Sequence, residues 1–570
     1  MIALETTMGL ARLVLVSFYS VVFAQIAVAG STIDSNSDLT LIKILKDEYG
    51  RLTKLSEQKI NTSSRSDSDL TISEYPQFIV EHAPVQAAKI IELRSRDKRT
   101  LDQWLKAHNV TPIQVSLEDS LVDEVRTIVN SGPATNRIDL VFMGDGYTTD
   151  EREKFFSDIA RLVNDMFVGK TFASYLPLFN VHAVFRASSR SGIGRGSPID
   201  TAYGLYREGE TLRAILPGKP SAIRESCRQA PGCDYPVVIA NDPYYGGLGG
   251  EFAISTSSIT SGTVVLRHEL GHNFGRVGEE YDGGGYFGAN HSTSANNPSW
   301  IHWATNRNAL KAEPMVARYL DWPWYRLDKG PFTINLASDG NYSRALVRLS
   351  ASGIETPDTL SIQLNNQNLA FESPNRLDRA FIEIALPGLL AGSHSMTFTE
   401  NVHDRNNWIS SLKVYEYAED FHDQKDYVGA YPNFDKSLRL DGFRPTNESC
   451  LMRDMTHEFF CPVCQENNWS NFFDNVDLID SATAVITGNK LNAEVKTLKL
   501  APFPSGSPST STGRLEIIWT ADGRELTQFR DQTAISFDFK DKPQTMTVNV
   551  RFTSSEIRKR VVSSQKALAI

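Results

Sequence analysis

Between residues 134 and 275 the chain switches repeatedly between unbroken apolar runs and helical spacing. IDLVFM is a short apolar run that ends in the turn Gly144-Asp145-Gly146, the pattern of a strand buried on both faces. YTTDEREKFFSDIARLVNDMF then takes up amphipathic helical spacing, with Thr149 or Asp150 as the cap and acidic residues in the first turn. LFNVHAVFRAS and YPVVIAND read as a second and a third strand, and GGLGGEFAISTSS as a glycine-rich turn into a fourth. SGTVVLRHELGHNFG returns to a helix. The predicted order is strand, helix, three strands, helix.

The flanks follow other patterns. In an N-terminal unit at 30–130, LTLIKILKDEYGRLTKL carries helical periodicity, INTSSRSDSDLTIS is a polar loop, and short β-like runs follow. That unit reads either as a propeptide or as an accessory β-rich domain. FTINLAS, RALVRLSAS, LSIQLNN, AFIEIALP and HSMTFTEN alternate with period two, which predicts a β-sandwich-like insertion at 330–415. The unit begun at 131–329 resumes at 416–500. Beyond the linker PSGSPSTSTG, the runs LEIIWTADG, AISFDF and TMTVNVRF predict a small Ig-like domain at 511–570.

Composition narrows the class. A chain of 570 residues, 41% hydrophobic and 22% charged, holds enough apolar surface for several cores. A net charge of −10, with no basic patch interleaved with aromatics, argues against a nucleic-acid partner. LARLVLVSFYSVVFAQIAVAG ends in Ala27-Val28-Ala29 and predicts a cleaved signal peptide at 1–29; the competing reading is a signal anchor, because Glu5 dilutes the positive end. No other run approaches the roughly 20 apolar residues of a membrane helix, so the mature protein is expected to be soluble and extracellular, off the membrane. Sequons at Asn61, Asn109, Asn290, Asn341, Asn447 and Asn468 fit an exported glycoprotein. Of the five cysteines, Cys227 and Cys233 are placed to form a loop disulfide, and pairing is expected among Cys450, Cys461 and Cys464, with one thiol left over. Cys461-Pro-Val-Cys464 has the spacing of half a zinc knuckle or of a redox motif. Without a second CxxC or a thioredoxin-like pattern it reads as structural.

The chemistry concentrates in HELGHNFGRVGEEYD, residues 268–282. On a helix, His268 and His272 lie on one face and can direct both imidazoles at one ion, zinc by ligand preference. Glu269, one step round, is the candidate general base. The element order around this helix is that of a zincin catalytic domain, and the fold class expected is α+β: a mixed sheet with the HExxH helix, plus β-sandwich-like accessory domains. Gly275 is where a metzincin-type helix stops and turns through positive φ. The third histidine of HExxHxxGxxH would stand at 278, where this chain has Gly278, so another side chain must serve. Glu279 and Glu280 are adjacent; Asp282 is further on; His291 reads as a loop histidine; a glutamate on a separate downstream helix is the thermolysin-type alternative. Cys450-Leu451-Met452-Arg453 resembles a metzincin Met-turn.

Together NRIDLVFMGDGYTTDE, FNVHAVFRASSRSG, YYGGLGG, HELGHNFGRVGEEYDGG and FRPTNESCLMRDMTHEFFCPVC resemble the IgA-peptidase family of secreted zinc endopeptidases, over roughly residues 131–328 and 416–466. The resemblance implies His268 and His272 as zinc ligands and Glu269 as general base. Glu279 would be the third ligand, standing where the family more often has Asp, with Glu280 as fallback. Tyr281 would either hydrogen-bond the oxyanion or brace the turn. Tyr245-Gly246-Gly247 would be either an edge for an extended peptide or a plain turn, and Asp145 is structural rather than catalytic. The implied activity is zinc-dependent peptide-bond hydrolysis with one catalytic Zn2+. The partner is a protein or peptide whose identity the family name does not specify, and the sequence leaves the oligomeric state open. The alternatives are an exported binding or adhesion protein on an inactive core, or an amidase acting on non-peptide substrates.

Overall fold

The computed structural model describes residues 39–46, 50–60, 70–76, 89–112, 123–168, 171–500 and 513–570. The expected signal peptide, the Asn61 sequon and nearly all of the PSGSPSTSTG linker lie outside the described residues. The fold mixes α and β, with many small sheets and few helices.

The central sheet has five strands: β1 (Glu124–Val129), β2 (Ile138–Asp145), β3 (Phe179–Phe185), β4 (Tyr235–Ala240) and β5 (Ala253–Thr256), in the order β5-β4-β2-β3-β1. Four of them run parallel, and β1 pairs antiparallel with β3. Strands β2 and β3 are buried along their whole length, which is why their sequences are unbroken apolar runs rather than alternating ones. β1 joins this sheet although its residues fall within the 30–130 stretch. Helix α1 (Arg152–Val168) covers one face, through Phe155, Ile159, Leu162 and Met166. Its first turn is preceded by Thr148, not capped by Thr149 or Asp150: the Thr148 backbone N–H donates to Glu151 Oε2 at 3.0 Å. A short helix, α2 (Pro220–Cys227), which hydrophobic spacing did not predict, ends in the Cys227–Cys233 disulfide.

The N-terminal stretch corrects one expectation. LTLIKILK is not helical: Leu39–Lys46 is a strand that pairs antiparallel with Leu52–Ile60, Leu39 opposite Ile60. Both faces are covered, with Leu39 and Leu41 in one apolar cluster and Ile42 and Ile44 in another. The resulting i, i+2, i+3, i+5 apolar spacing passes for helical. Glu92, on a neighbouring strand of this sheet, reaches the central unit through an ion pair with Arg276 at 2.7 Å.

Residues 315–417 form two antiparallel sheets that share one apolar core, Ile334, Leu336 and Phe398 from one sheet meeting Val347, Leu349 and Leu412 from the other. The hairpin Ile479–Thr487 and Lys490–Thr497 pairs with Ala534–Asp538, so it joins the C-terminal strands rather than the 416–500 part in which its sequence placed it. Between these regions, α4 (Pro462–Phe472) packs on α3 (Gly262–Gly275), the helix that carries HELGH.

Candidate metal centre

Helix α3 follows β5 after a tight turn. Asp378, from the 315–417 region, accepts hydrogen bonds from Thr260 and Ser261 hydroxyls, each at 2.8 Å, and from the Tyr245 backbone N–H at 2.6 Å. One carboxylate thereby fixes both the start of the helix and the rim of the cleft above it. Helix α3 is buried nearly all round, so its register is set by packing on every side. Gly271, between the two histidines, has no room for a side chain: a Cβ there would lie 2.7 Å from Met452 Sδ and 2.9 Å from Phe460. Met452 thus sits directly against the motif, as the Met-turn resemblance implies.

The helix ends one residue later than its glycine suggested. Gly275 is still helical, and the left-handed residue is Arg276, at φ 50°. Gly275 is small for a different reason, since its Cβ would meet Val277 Cγ2 at 3.0 Å and Asn468 Oδ1 at 3.1 Å. The last carbonyls of the helix are satisfied from α4, where Asn471 Nδ2 donates to Phe274 and Gly275 at 2.9 and 3.0 Å. Gly278 then lies where backbone meets backbone: its N–H donates to Phe287 at 2.8 Å, and the Glu279 N–H donates to Gly285 at 2.9 Å. This local pairing aims the next side chain back at the helix.

His268, His272 and Glu279 converge. The two Nε2 atoms are 3.2 Å apart; Glu279 Oε1 lies 3.1 Å from His272 Nε2, and Oε2 lies 3.2 Å from His268 Nε2. Each Nδ1 faces a backbone carbonyl, His268 to Leu451 at 3.1 Å and His272 to Val277 at 2.9 Å. With the Nδ1 protons donated there, both Nε2 lone pairs point at the carboxylate. Three acceptors therefore face one another, and Glu279 Oε2 is buried without a hydrogen-bond donor. This donor set fits a divalent cation, and His268, His272 and Glu279 could hold a metal. In the metal-free chain a proton takes part of that role. Burial opposes a charged His268, yet Glu279 pushes its pKa up to about 9. Burial likewise works to raise the Glu279 pKa, but the two imidazoles hold it well below the usual carboxylate range.

Around these three the cleft is lined by Glu269, Tyr281, Arg213, Gly247, Val265 and Met455. The Tyr281 ring lies nearly parallel to that of His268, centroids 6.2 Å apart, with Lys413 Nζ 5.0 Å from its ring centroid. Arg213 lies in none of the stretches that carry the resemblance, and only the folding of distant segments brings it and Met455 here.

The remaining candidates fall elsewhere. Glu280 turns away from the histidines, accepts from Asn290 Nδ2 at 3.1 Å and lies 3.4 Å from Cys464 Sγ. Asp282 is a buried structural anchor, accepting from Tyr415, Arg453 and the Phe434 N–H. His291 stacks on Tyr286, away from the centre. Asp145 accepts from the Tyr203 and Leu205 N–H groups and from Thr201, and so pins a loop. Gly247 is not an open edge: its N–H donates to Arg213, and its carbonyl accepts from Ile215. Cys450, Cys461 and Cys464 are all free thiols, against the pairing expected among them. The sequon residues Asn290 and Asn468 are buried, so neither can carry a glycan in the folded chain.

No curated protein sequence matches the chain. Among solved structures it is similar to a GH2 β-galacturonidase from Eisenbergiella tayi, at 8% identity and a TM-score of 0.13, over 46% of this chain and 44% of that one. The chain thus spans less than half the length of that enzyme. It is also similar to the CBM51-2 and INT domains of ZmpB from Clostridium perfringens, at 6% identity and a TM-score of 0.12, over 45% of this chain and 77% of that one. A β-glucosidase from Kluyveromyces marxianus gives 8% identity and a TM-score of 0.14, over 47% and 53%. TM-scores this low say nothing about the fold. The family comparison is specific: residues 127–326, which hold nearly all of the central sheet, the motif helix and all three converging side chains, match the family model IgA Peptidase M64, so this part of the chain is similar to that peptidase family.

Proposed function

We propose that the chain is an exported, zinc-dependent endopeptidase that hydrolyses peptide bonds in a protein or peptide substrate. The observation that carries this reading is the meeting of His268, His272 and Glu279 at distances of 3.1 to 3.2 Å beside Glu269, at the base of one cleft. His268, His272 and Glu279 would hold the ion. When bound, zinc supplies Lewis acidity, polarising the scissile carbonyl and making a water acidic enough to react near neutral pH.

The chain's own residues do the rest. Glu269 takes the proton from the attacking water at its carboxylate and passes it to the leaving amine. The Leu451 and Val277 carbonyls hold the two imidazoles in one tautomer and one orientation. Tyr281, at the cleft wall, either hydrogen-bonds the carbonyl oxygen as charge develops or braces His268 by stacking. Export is supported by the N-terminal apolar run and by the Cys227–Cys233 disulfide.

The test is cleavage of a broad peptide library, with and without a chelator, read by mass spectrometry. Chelator-sensitive internal cleavage is expected. Cleavage that survives complete metal removal would overturn the metal. Hydrolysis of acylated non-peptide amines, with no peptide cut, would move the assignment to an amidase.

A further inference from the structure

A second set of ligand atoms lies behind the cleft. Glu280, Cys450, Cys461 and Cys464 offer one carboxylate oxygen and three sulfurs, all within 4.8 Å of one another. All four residues are at most 1% exposed, and none of the three cysteines is in a disulfide. Cys464 Sγ is 3.4 Å from Glu280 Oε1, and the Cys461 backbone N–H donates to Cys450 Sγ at 3.4 Å. The other carboxylate oxygen, Glu280 Oε2, is buried without a hydrogen-bond partner. Asn290 gives the carboxylate one neutral donor, and among the described residues no basic side chain pairs with it. A carboxylate taken out of water without a counter-charge is costly.

We propose that Glu280, Cys450, Cys461 and Cys464 form a second metal site, closed and structural, that takes a thiophilic divalent cation such as zinc. Four donors, three of them sulfur, with no opening to solvent, are what a structural zinc site requires, whereas a catalytic one keeps a position open. A disulfide between Cys461 and Cys464 would use two sulfurs and leave a thiol and the carboxylate unanswered. A cation answers all four. As each sulfur–metal bond forms, the thiol proton leaves to solvent, and no electrons are transferred. The site does not depend on the peptidase reading, but it bears on the first centre through geometry. Glu280 follows Glu279, and the Glu280 N–H donates to the Met452 carbonyl at 2.9 Å. Closing the site around Glu280 ties the loop that presents Glu279 to the 450–464 segment, which also carries the carbonyl that orients His268.

The test uses the full chain with His268→Ala and His272→Ala, which removes the first centre, purified reduced and with zinc present. One equivalent of zinc is expected to remain. Replacement by cobalt should give thiolate-to-metal charge-transfer absorption, which imidazole and carboxylate ligands do not produce. In the wild-type chain two equivalents and the same absorption are expected, so the measurement holds even where the double variant fails to fold. Adding Cys464→Ser should lower the absorption by at least about a third, one of three thiolates being lost. Cobalt spectra without a thiolate band, or a Cys461–Cys464 disulfide in the wild-type chain by mass spectrometry, would overturn the proposal. Failure of the peptidase reading would leave the thiolate band in place.

Discussion

Glu279 and Glu280 are chain neighbours whose carboxylates face opposite ways, Glu279 lying 3.1 Å from His272 Nε2 and Glu280 lying 3.4 Å from Cys464 Sγ. Two adjacent glutamates, indistinguishable as letters, thus serve two different clusters. The difference is set by the backbone pairing of Gly278 and Glu279 with residues 285–287, which aims one side chain at the helix and leaves the next to point at α4. Glu279→Ala should therefore weaken metal binding at the histidine pair by more than the roughly 10–100-fold that outer-shell changes cost. Glu280→Ala should leave both imidazoles able to bind. Competitive chelator titration of each variant measures the difference.

The His268–Glu279 contact gives the metal-free chain a pH dependence. His268 rises from an ordinary 6.5 to about 9 against the opposition of burial, because Glu279 faces it. A raised folded value means that the stability contributed is fully present below about 6.5 and is lost as pH climbs through about 9. Thermal unfolding of the chelated wild type, set against Glu279→Gln, should show a wild-type advantage that shrinks across that window. An advantage that grows with pH would contradict the pairing. The same proton competes with metal, so apparent affinity should strengthen as pH rises toward 9.

Gly271 should tolerate no side chain. Gly271→Ala places a methyl against Met452 and Phe460, and overpacking of this kind costs about 1–3 kcal/mol. A lowered midpoint in denaturant, with unchanged slope, is the expected result.

The Asp282–Arg453 pair is buried on both sides, at 2.6 Å, and joins the loop that carries Glu279 to the segment after Met452. Asp282→Ala removes the closer of the two carboxylates on the Arg453 guanidinium, leaving Glu448 at 3.1 Å, and should cost about 1–3 kcal/mol. Equilibrium unfolding measures this. A loss under about 1 kcal/mol, typical of an exposed pair, would show that Glu448 alone compensates the Arg453 guanidinium.

What could be read from the letters followed from local spacing. HELGH declared itself because two histidines and a glutamate need only one helical turn to meet, and β2 and β3 declared themselves as unbroken apolar runs. The groups that orient the histidines did not: Leu451 reaches His268 across 183 residues, through a backbone carbonyl that every residue possesses. Arg213, Asp378 and Met455 come to the cleft in the same way. Two local readings failed for physical reasons. LTLIKILK is buried on both faces, so the alternation that marks a half-buried strand is erased. Glycine favours a left-handed turn, which points to Gly275, but its smallness serves close packing against Val277 and Asn468, and Arg276 adopts the turn while held by Glu92.

The most direct test of the account removes the base and leaves the metal. Glu269→Ala and the wild type are to be compared for bound zinc and for cleavage of the same peptide library, in the same samples. The account predicts equal metal at the His268–His272–Glu279 centre, with cleavage lowered by about 10²–10⁴-fold in the variant. Cleavage at the wild-type rate by a Glu269→Ala chain that retains its metal would contradict it.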